Sequence, residues 1–345
     1  MTISVVIACR NEAATLSATL DALDAQDWRE LEIVVVDGCS SDGSAELARR
    51  RGARVVRDEG GGPAAARNLG IAAARGDIVA FTDADCIPRF DWLARLAVAF
   101  DDPEVAGAAG GLRLPRATLL GRIEDNDARL RYRGYITSNV AYRREALLQI
   151  GGFDASLQCA EDYDLAWRML DGGYRIVHVP DAIVLHAPPE LAAGLGVYLR
   201  KQYWYARRDV PAHARALGRA WRAGRMGPGA RAALTGFGSA LGRSAPLAAA
   251  TAAVMRRAPW VAGAALAGIA ARSTRDIRES VRAVDGERRE VARMAAVDAA
   301  KNVARGAGTL VGLAQLLAAR PGGPLTPLAA PALEDGPPLA RLSRT

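Results

Sequence analysis

The chain begins with a regular alternation of short apolar runs and helix-like stretches, and no other feature limits its fold as strongly. The runs rich in β-branched residues have the length of buried strands and are Ile3–Ile7, Ile33–Val36, Ala53–Val56 and Ile78–Phe81. Helical periodicity lies between them in Glu12–Ala25, Ser44–Arg51 and Ala64–Arg75. This alternation predicts parallel βαβ units, an α/β fold in which helices cover a sheet.

Length and cysteine usage narrow the class of protein. A chain of 345 residues that is 50% hydrophobic can bury a large core, which excludes a disordered protein and a small disulfide-stabilised one. The cysteines at positions 9, 39, 86 and 159 form no Cys-x-x-Cys pair, a pattern typical of a reduced, intracellular protein without a zinc site. The first strand has neither a basic leader nor a long apolar stretch, so we expect no signal peptide.

Charge divides the chain into two parts. Residues 1–188 contain 21 Lys and Arg against 28 Asp and Glu, whereas residues 189–345 contain 24 against 10. In the second part the arginines alternate with stretches of Ala, Leu and Gly. This mixture favours a membrane surface as the partner and disfavours nucleic acid.

Acidic side chains recur where the predicted strands end. Glu12 follows the first strand, Asp37 the second, and Asp83 and Asp85 the fourth. Ligands bind at the carboxyl ends of strands in such sheets, and carboxylates there suit hydroxyls, a nucleobase or a divalent cation. The Asp-x-Asp pair supplies the hard oxygen ligands that Mg²⁺ and Mn²⁺ prefer. The alternative is that these acids only cap helices and close turns.

The glycines do not fit a nicotinamide-binding fold. No Gly-x-Gly-x-x-Gly motif opens the first helix, and Gly60-Gly61-Gly62-Pro63 follows the third strand without the Lys-Ser/Thr of a P-loop. This turn is expected instead to let Arg67 and Asn68 approach a ligand.

Several segments, in this order, carry a resemblance to a known family. They are Ala8–Glu12, Val34–Ser44, Ala66–Gly70, Ala74–Asp77, Phe81–Asp85, Gly151–Asp154, and Glu161–Leu165 with Arg168. Together they resemble family-2 glycosyltransferases with the GT-A fold, over residues 2–188. Two positions depart from the family's pattern: Ala8 stands where Pro is common, and Gly38 where a second acid is common. The second departure bears on base selectivity.

The resemblance implies a fold and a set of roles. The fold would be GT-A, a Rossmann-like, mostly parallel sheet flanked by helices. The donor-binding residues would be Glu12, Asp37, Arg67 and Asp83. Asp85 and Asp83 would hold Mg²⁺ or Mn²⁺ at the donor diphosphate. Asp162 would be the general base of an inverting transfer, taking the proton from the acceptor hydroxyl.

The resemblance also implies roles for two further residues. A histidine often completes the metal site in related enzymes, and His186, at the end of its predicted strand, matches this position better than His178. A purely structural histidine is the alternative. Asn139 would contact the donor sugar, or else serve as an ordinary strand-edge amide.

The chain from residue 189 onward is expected to be helical and to associate with a membrane. The basic and aromatic stretch Arg200–Arg208 suits a bilayer interface, and an amphipathic helix packed on the catalytic domain is the alternative. The apolar segments Ser244–Met255, Ala258–Ala271 and Gly306–Ala319 are each shorter than the ~20 residues of a membrane-spanning helix, so spanning stays open. Ser273–Arg293 is expected to be an exposed helix.

These features predict three regions and one activity. Residues 1–188 would form the nucleotide-sugar-binding catalytic domain, 189–320 the membrane-associated region and 321–345 a disordered tail. The activity would be an inverting, metal-dependent transfer at the cytoplasmic face of the membrane. Its donor would be a UDP-, GDP- or dTDP-sugar, and its acceptor a lipid-linked or cell-envelope glycan.

Two alternatives remain. A non-catalytic GT-A-like membrane module is disfavoured because Asp85 and Asp162 are both present. A sugar-phosphate nucleotidylyltransferase would need a lysine early in the chain, and residues 1–188 contain none.

Overall fold

A single eight-stranded sheet forms the centre of the N-terminal part. Its strands are β1 Ile3–Cys9, β2 Leu31–Asp37, β3 Arg54–Arg57, β4 Ile78–Asp83, β5 Cys86–Pro88, β6 Val105–Arg113, β7 Val140–Arg143 and β8 Arg175–His186. Their spatial order is β3-β2-β1-β4-β7-β6-β8-β5. The computed structural model describes residues 1–131, 134–188, 191, 193–255 and 288–318.

Helices cover both faces of this sheet and form most of the described C-terminal part. They are α1 Ala13–Asp24, α2 Ser44–Arg50, α3 Pro63–Ala73, α4 Trp92–Val98, α5 Leu119–Arg131, α6 Arg144–Ile150, α7 Glu161–Asp171, α8 Leu195–Arg222, α9 Pro228–Met255 and α10 Arg288–Ala318. The helices expected between the first four strands are all present.

The sheet is mixed, which refines the expectation of a mostly parallel one. β1 pairs in parallel with β2 and β4, β2 with β3, and β6 with β8. β7 lies antiparallel between β4 and β6, and β5 pairs antiparallel with β8. The βαβ alternation makes β1, β2, β3 and β4 parallel, because each crossover helix returns the chain to the end of the sheet at which the previous strand began. The antiparallel strands come after this alternation stops.

The first strand is continuously apolar because both of its faces are buried. Val5 and Ile7 pack with Leu16 and Leu20 of α1 on one face, whereas Val6 faces α3 on the other. Helix α3 approaches this strand closely at Gly70. A Cβ added at this glycine would lie 2.2 Å from Cγ1 of Val6, so any larger residue would push the helix away.

The C-terminal helices pack on one another and on α7. Gly308 and Gly312 of α10 face α8, and a Cβ at Gly308 would lie 2.2 Å from the carbonyl oxygen of Tyr203. Arg219 of α8 forms an ion pair with the fully buried Asp164 of α7, at 2.9 Å. The C-terminal helices are therefore anchored to the helix that follows the Gly151–Asp154 turn.

The expected helical character beyond residue 188 is confirmed for the residues described there. None of the described helices combines the length and the apolar character that crossing a membrane would require. Three of the sequence expectations fall wholly or largely outside the described residues: the apolar segment Ala258–Ala271, the exposed helix Ser273–Arg293 and the tail 321–345.

Candidate active site

The acidic residues predicted at strand ends do meet at one edge of the sheet. In the register of the parallel strands, Cys9 of β1 lies opposite Asp37 of β2, and Ala8 lies opposite Asp83 of β4. Glu12 directly precedes α1, which begins just beyond the end of β1. Asp37 is buried, and its carboxylate accepts the backbone N–H of Ser40 at 3.2 Å. The sheet therefore presents these carboxylates to a common space, as the sequence predicts.

The backbone at this edge is strained. Among the described non-glycine residues, positive φ occurs at Asn11 (57°), Cys39 (60°) and Ala160 (58°). Asn11 precedes Glu12, Cys39 lies in the turn after Asp37, and Ala160 stands just before α7. Left-handed backbone costs free energy for residues with a side chain and is concentrated at functional sites. Sequence reasoning did not find these positions, since none of the three is a glycine.

Four potential metal ligands converge next to this edge. One ligand atom from each of Asp83, Asp85, Cys86 and His186 lies within 4.8 Å of the others. The antiparallel pairing of β5 with β8 places Cys86 opposite His186. Nε2 of His186 lies 3.3 Å from Oδ2 of Asp85. Two carboxylates and an imidazole form a donor set that fits Mn²⁺ or Mg²⁺.

The structure also separates the two candidate histidines. His186 belongs to the cluster, whereas the ring of His178 stacks on Tyr135 with the centroids 5.4 Å apart. Cys86 was not predicted as part of the cluster. Burial raises the pKa of its thiol well above the ordinary value, so Cys86 stays protonated and is a poor ligand for a hard cation.

The ionisation of the carboxylates reflects their crowding. Burial, followed by the charges of Asp85 and Asp83, raises the pKa of Glu12 to about 7. Burial would also raise the pKa of Asp85, but the hydrogen bond and charge of His186 outweigh it and, with a contribution from Lys201 of α8, hold that pKa below the ordinary value. A site that concentrates carboxylates in this way favours a bound cation.

Arg67 connects the metal cluster to α7. Its guanidinium donates to Oε1 of Glu161 at 2.6 Å and to Oδ1 of Asp83 at 3.1 Å, and the residue is only 8% exposed. The sequence predicted a donor contact for Arg67. In the structure its guanidinium lies between two protein carboxylates, one of which is Glu161, a residue to which the sequence analysis assigns no role. The donor contact stays a prediction.

Asp162 lies at the N-terminus of α7, beside Glu161. Its Oδ1 accepts the backbone N–H of Tyr163 at 2.8 Å, and the side chain is partly buried. Burial and the neighbouring Glu161 raise the pKa of Asp162 above the ordinary value of an aspartate, while Arg67 opposes this shift. A carboxylate with a raised pKa is suited to accept a proton near neutral pH.

Asn139 has a structural role, which corrects its assignment to the donor sugar. Its side-chain oxygen accepts the indole N–H of Trp92 at 2.7 Å, and its amide donates to the carbonyls of Gly111 and Ala182, each at 2.8 Å. Only 1% of the residue is exposed. Both amide hydrogens are thus committed to the protein, and we leave Asn139 out of the proposed site.

We predict that Asn139→Ala destabilises the fold without changing donor binding. The substitution would leave the buried indole N–H of Trp92 without its acceptor and would remove two hydrogen bonds to backbone carbonyls, at a total cost of roughly 3 kcal/mol or more. Urea unfolding measures this loss, with the exposed amide variant Gln149→Ala as the control. Weaker donor binding in a variant of unchanged stability would restore the original assignment.

Comparison with known proteins gives the class to which this domain belongs. Residues 4–151 match the family described as "Glycosyl transferase family 2". The computed fold resembles the mannosyltransferase PcManGT of Pyrobaculum calidifontis, solved with GDP-Man and Mn²⁺, with a TM-score of 0.61, 24% identity and coverage of 91% of this chain and 86% of that one. At this identity the likeness establishes the fold alone, and that fold is GT-A.

Sequence relatives agree with this class. The chain is 33% identical over 210 residues to the pre-mycofactocin glycosyltransferase of Mycobacterium tuberculosis, covering 53% of this chain and 42% of the relative. It is 29% identical over 218 residues to the glycosyltransferase AglE of Haloferax volcanii, covering 58% and 70%. Residues 4–151 thus resemble a family-2 glycosyltransferase domain, and the chain covers less than half the length of the mycobacterial relative.

Proposed function

We propose that this protein is an inverting, metal-dependent glycosyltransferase that moves a sugar from a nucleotide-sugar to an acceptor hydroxyl. One observation carries the proposal. The cluster of Asp83, Asp85 and His186 is joined through the Arg67–Glu161 pair to the segment that bears Asp162. This connection supports the proposal, because it links the candidate metal ligands to the segment that contains the candidate base.

The residues of the site divide the chemistry between them. Asp83, Asp85 and His186 would hold Mg²⁺ or Mn²⁺, which when bound would neutralise charge on the donor diphosphate and so stabilise the leaving group. Asp37 and Glu12, at neighbouring strand ends, would bind the ribose and base of the nucleotide. Deprotonated Asp162 would take the proton of the acceptor hydroxyl as its oxygen attacks the anomeric carbon. A single displacement from the face opposite the nucleotide inverts the configuration.

The donor would be a UDP-, GDP- or dTDP-sugar. The solved neighbour binds GDP-Man with Mn²⁺, which supports this class of donor. We further propose a lipid-linked or cell-envelope glycan as the acceptor, and the cytoplasmic face of the membrane as the place of reaction. The excess of basic residues in 189–345 supports the membrane location.

The test is a donor panel with each metal in turn. UDP-, GDP- and dTDP-sugars are incubated with the protein, Mg²⁺ or Mn²⁺ and extracted polyprenyl-phosphate lipids, and nucleotide release and sugar transfer are both measured. We expect one donor to be consumed, only when a metal is present, and the product to have the inverted anomer. A retained configuration, or turnover in the presence of a chelator, would contradict the proposal.

The substitution Asp85→Ala tests whether turnover depends on the proposed metal site. Loss of this ligand should lower turnover at least a hundredfold, because removing even an outer-shell partner of a metal ligand weakens metal affinity by about 10–100-fold, and added Mn²⁺ should recover part of the turnover. Asp102→Asn, an exposed carboxylate in the same domain, should behave as the unmodified protein does. If no nucleotide-sugar binds and Asp85→Ala changes nothing, the non-catalytic alternative replaces the enzyme.

A further inference from the structure

The turn between α8 and α9 is unusually exposed. We define residues 221–228 as the α8–α9 corner. Trp221 is 85% exposed and Met226 42% exposed, and Arg222 and Arg225 between them are also exposed. Folding ordinarily removes a large apolar ring such as that of Trp221 from water, so an indole and a thioether that both stay exposed within one short turn indicate a binding surface.

This corner is held in place by hydrogen bonds of its backbone. Gly224 has a φ of 62°, and the N–H groups of Ala223 and Arg225 donate to the carbonyls of Arg219 and Ala220 at 2.9 and 3.2 Å. On the other side, the carboxylate of Asp171 in α7 accepts the N–H of Gly229 at 2.8 Å. The exposed side chains therefore project from a fixed turn that is anchored to the glycosyltransferase domain.

The segment of sequence that contains the corner carries only positive charge. The sequence contains no Asp or Glu from Val210 to Met255, whereas this interval contains Arg215, Arg219, Arg222, Arg225, Arg231 and Arg243. Arg215 and Arg219 form ion pairs with Asp154 and Asp164 of the N-terminal part. The corner itself thus presents arginines and apolar side chains with no acid in its own segment.

The basic stretch that the sequence analysis expects at the membrane packs against other parts of the protein. Within Arg200–Arg208, Gln202 and Ala206 are buried, and Nε of Arg207 donates to Gln315 of α10 at 2.9 Å. The guanidinium of Arg208 lies over the ring of Trp204, 4.4 Å from its centroid. This stretch fits the alternative of a packed amphipathic helix, and the exposed aromatic and basic groups lie about four turns further along, at the corner.

We propose that the α8–α9 corner docks on an anionic lipid bilayer. Trp221 and Met226 enter the interfacial region, and Arg222 and Arg225 meet lipid phosphates. Tryptophan prefers this region because its ring is amphipathic, and each arginine near an anionic surface adds attraction. The two arginines favour a lipid surface over an uncharged apolar partner, because their charge is complementary to that of lipid phosphates. The docking rests on the membrane location proposed above, and it is tested without glycosyl transfer.

The experiment measures sedimentation of the full chain with vesicles of phosphatidylcholine, with and without phosphatidylglycerol. We expect binding to the anionic vesicles that weakens as salt is added, since salt screens the surface charge. The double variant Arg222→Gln/Arg225→Gln should bind about thirtyfold more weakly, from roughly a fivefold loss at each arginine. Trp221→Ser should bind several-fold more weakly and remove a blue-shifted component of the vesicle-bound tryptophan fluorescence.

The matched control removes the same charge elsewhere. Arg49→Gln/Arg50→Gln lies on the exposed end of α2 and should keep full vesicle binding. Equal vesicle binding by the corner variant and this control would overturn the proposal. Equal binding to vesicles with and without phosphatidylglycerol would also overturn it. A corner variant that changes the oligomeric state instead would assign the surface to a second copy of this chain. Nucleotide-sugar hydrolysis, measured without lipid, reports separately on the proposed function.

Discussion

Replacing Asp162 by asparagine should lower kcat by about 10²–10⁴-fold, with little change in donor affinity. A general base contributes this much when it removes a proton in the transition state, and asparagine has the same shape but cannot accept the proton. The donor is expected to bind at the strand ends, through Asp37, Glu12 and the metal cluster. The measurement is steady-state transfer, together with donor titration of the inactive variant.

The pH dependence of transfer supplies a second readout of the same residue. In the proposed role Asp162 must be deprotonated, so kcat should fall as pH is lowered through the pKa of Asp162. Burial and Glu161 raise that pKa, and the fall should therefore begin well above the ~3.9 of an unperturbed aspartate. Asp102→Asn should leave both kcat and the pH profile unchanged. An Asp162→Asn variant that retains most of its activity would assign the base to another residue.

Replacing Arg67 by methionine should destabilise the protein by about 3–5 kcal/mol and also abolish transfer. The substitution leaves Glu161 buried with its charge uncompensated, and breaking a buried pair from one side has a cost of this size. It also removes the link between Asp83 and α7. Urea unfolding measures the stability, and donor and metal titrations at low temperature measure the site of the folded variant.

The matched controls separate the buried pair from an ordinary ion pair. Arg175→Met removes an exposed partner of Asp102 and should cost no more than about 1 kcal/mol. The double variant Arg67→Met/Glu161→Gln removes both charges of the buried pair and should recover much of the lost stability, because Glu161 then no longer leaves an unpaired buried charge. Equal destabilisation by the double and single variants would mean that Arg67 acts through packing and not through this pair.

The part of the site that follows buried strands could be predicted from the sequence. Apolar runs buried on both faces end where polar residues begin, so Asp37 and Asp83 mark strand ends without any knowledge of the fold. Parallel strands then bring such ends to one edge. The ordered motifs also pointed to the family whose model matches residues 4–151, and this match ends before Asp162 and His186. The roles of these two residues remain proposals.

The membrane-binding prediction shows where sequence patterns become ambiguous. Arg200–Arg208 combines cations and aromatic rings, and this composition describes an interfacial helix as well as an amphipathic helix packed on protein. Only packing against α10 decides between them, since it buries Gln202 and Ala206. The corner at Trp221 has a similar composition and differs from this stretch in its exposure.

The sequence by itself determined the strand–helix alternation of the N-terminal part, the position of its acids at strand ends and the class of protein. These are local properties, written in the spacing of apolar residues along short segments. The tertiary structure alone decided that Arg67 pairs with Glu161, 94 positions away, that Cys86 lies in the cluster with Asp83, Asp85 and His186, and that Asn139 is consumed by internal hydrogen bonds. Each of these depends on which strands and helices become neighbours, and the chain's local pattern does not encode that pairing.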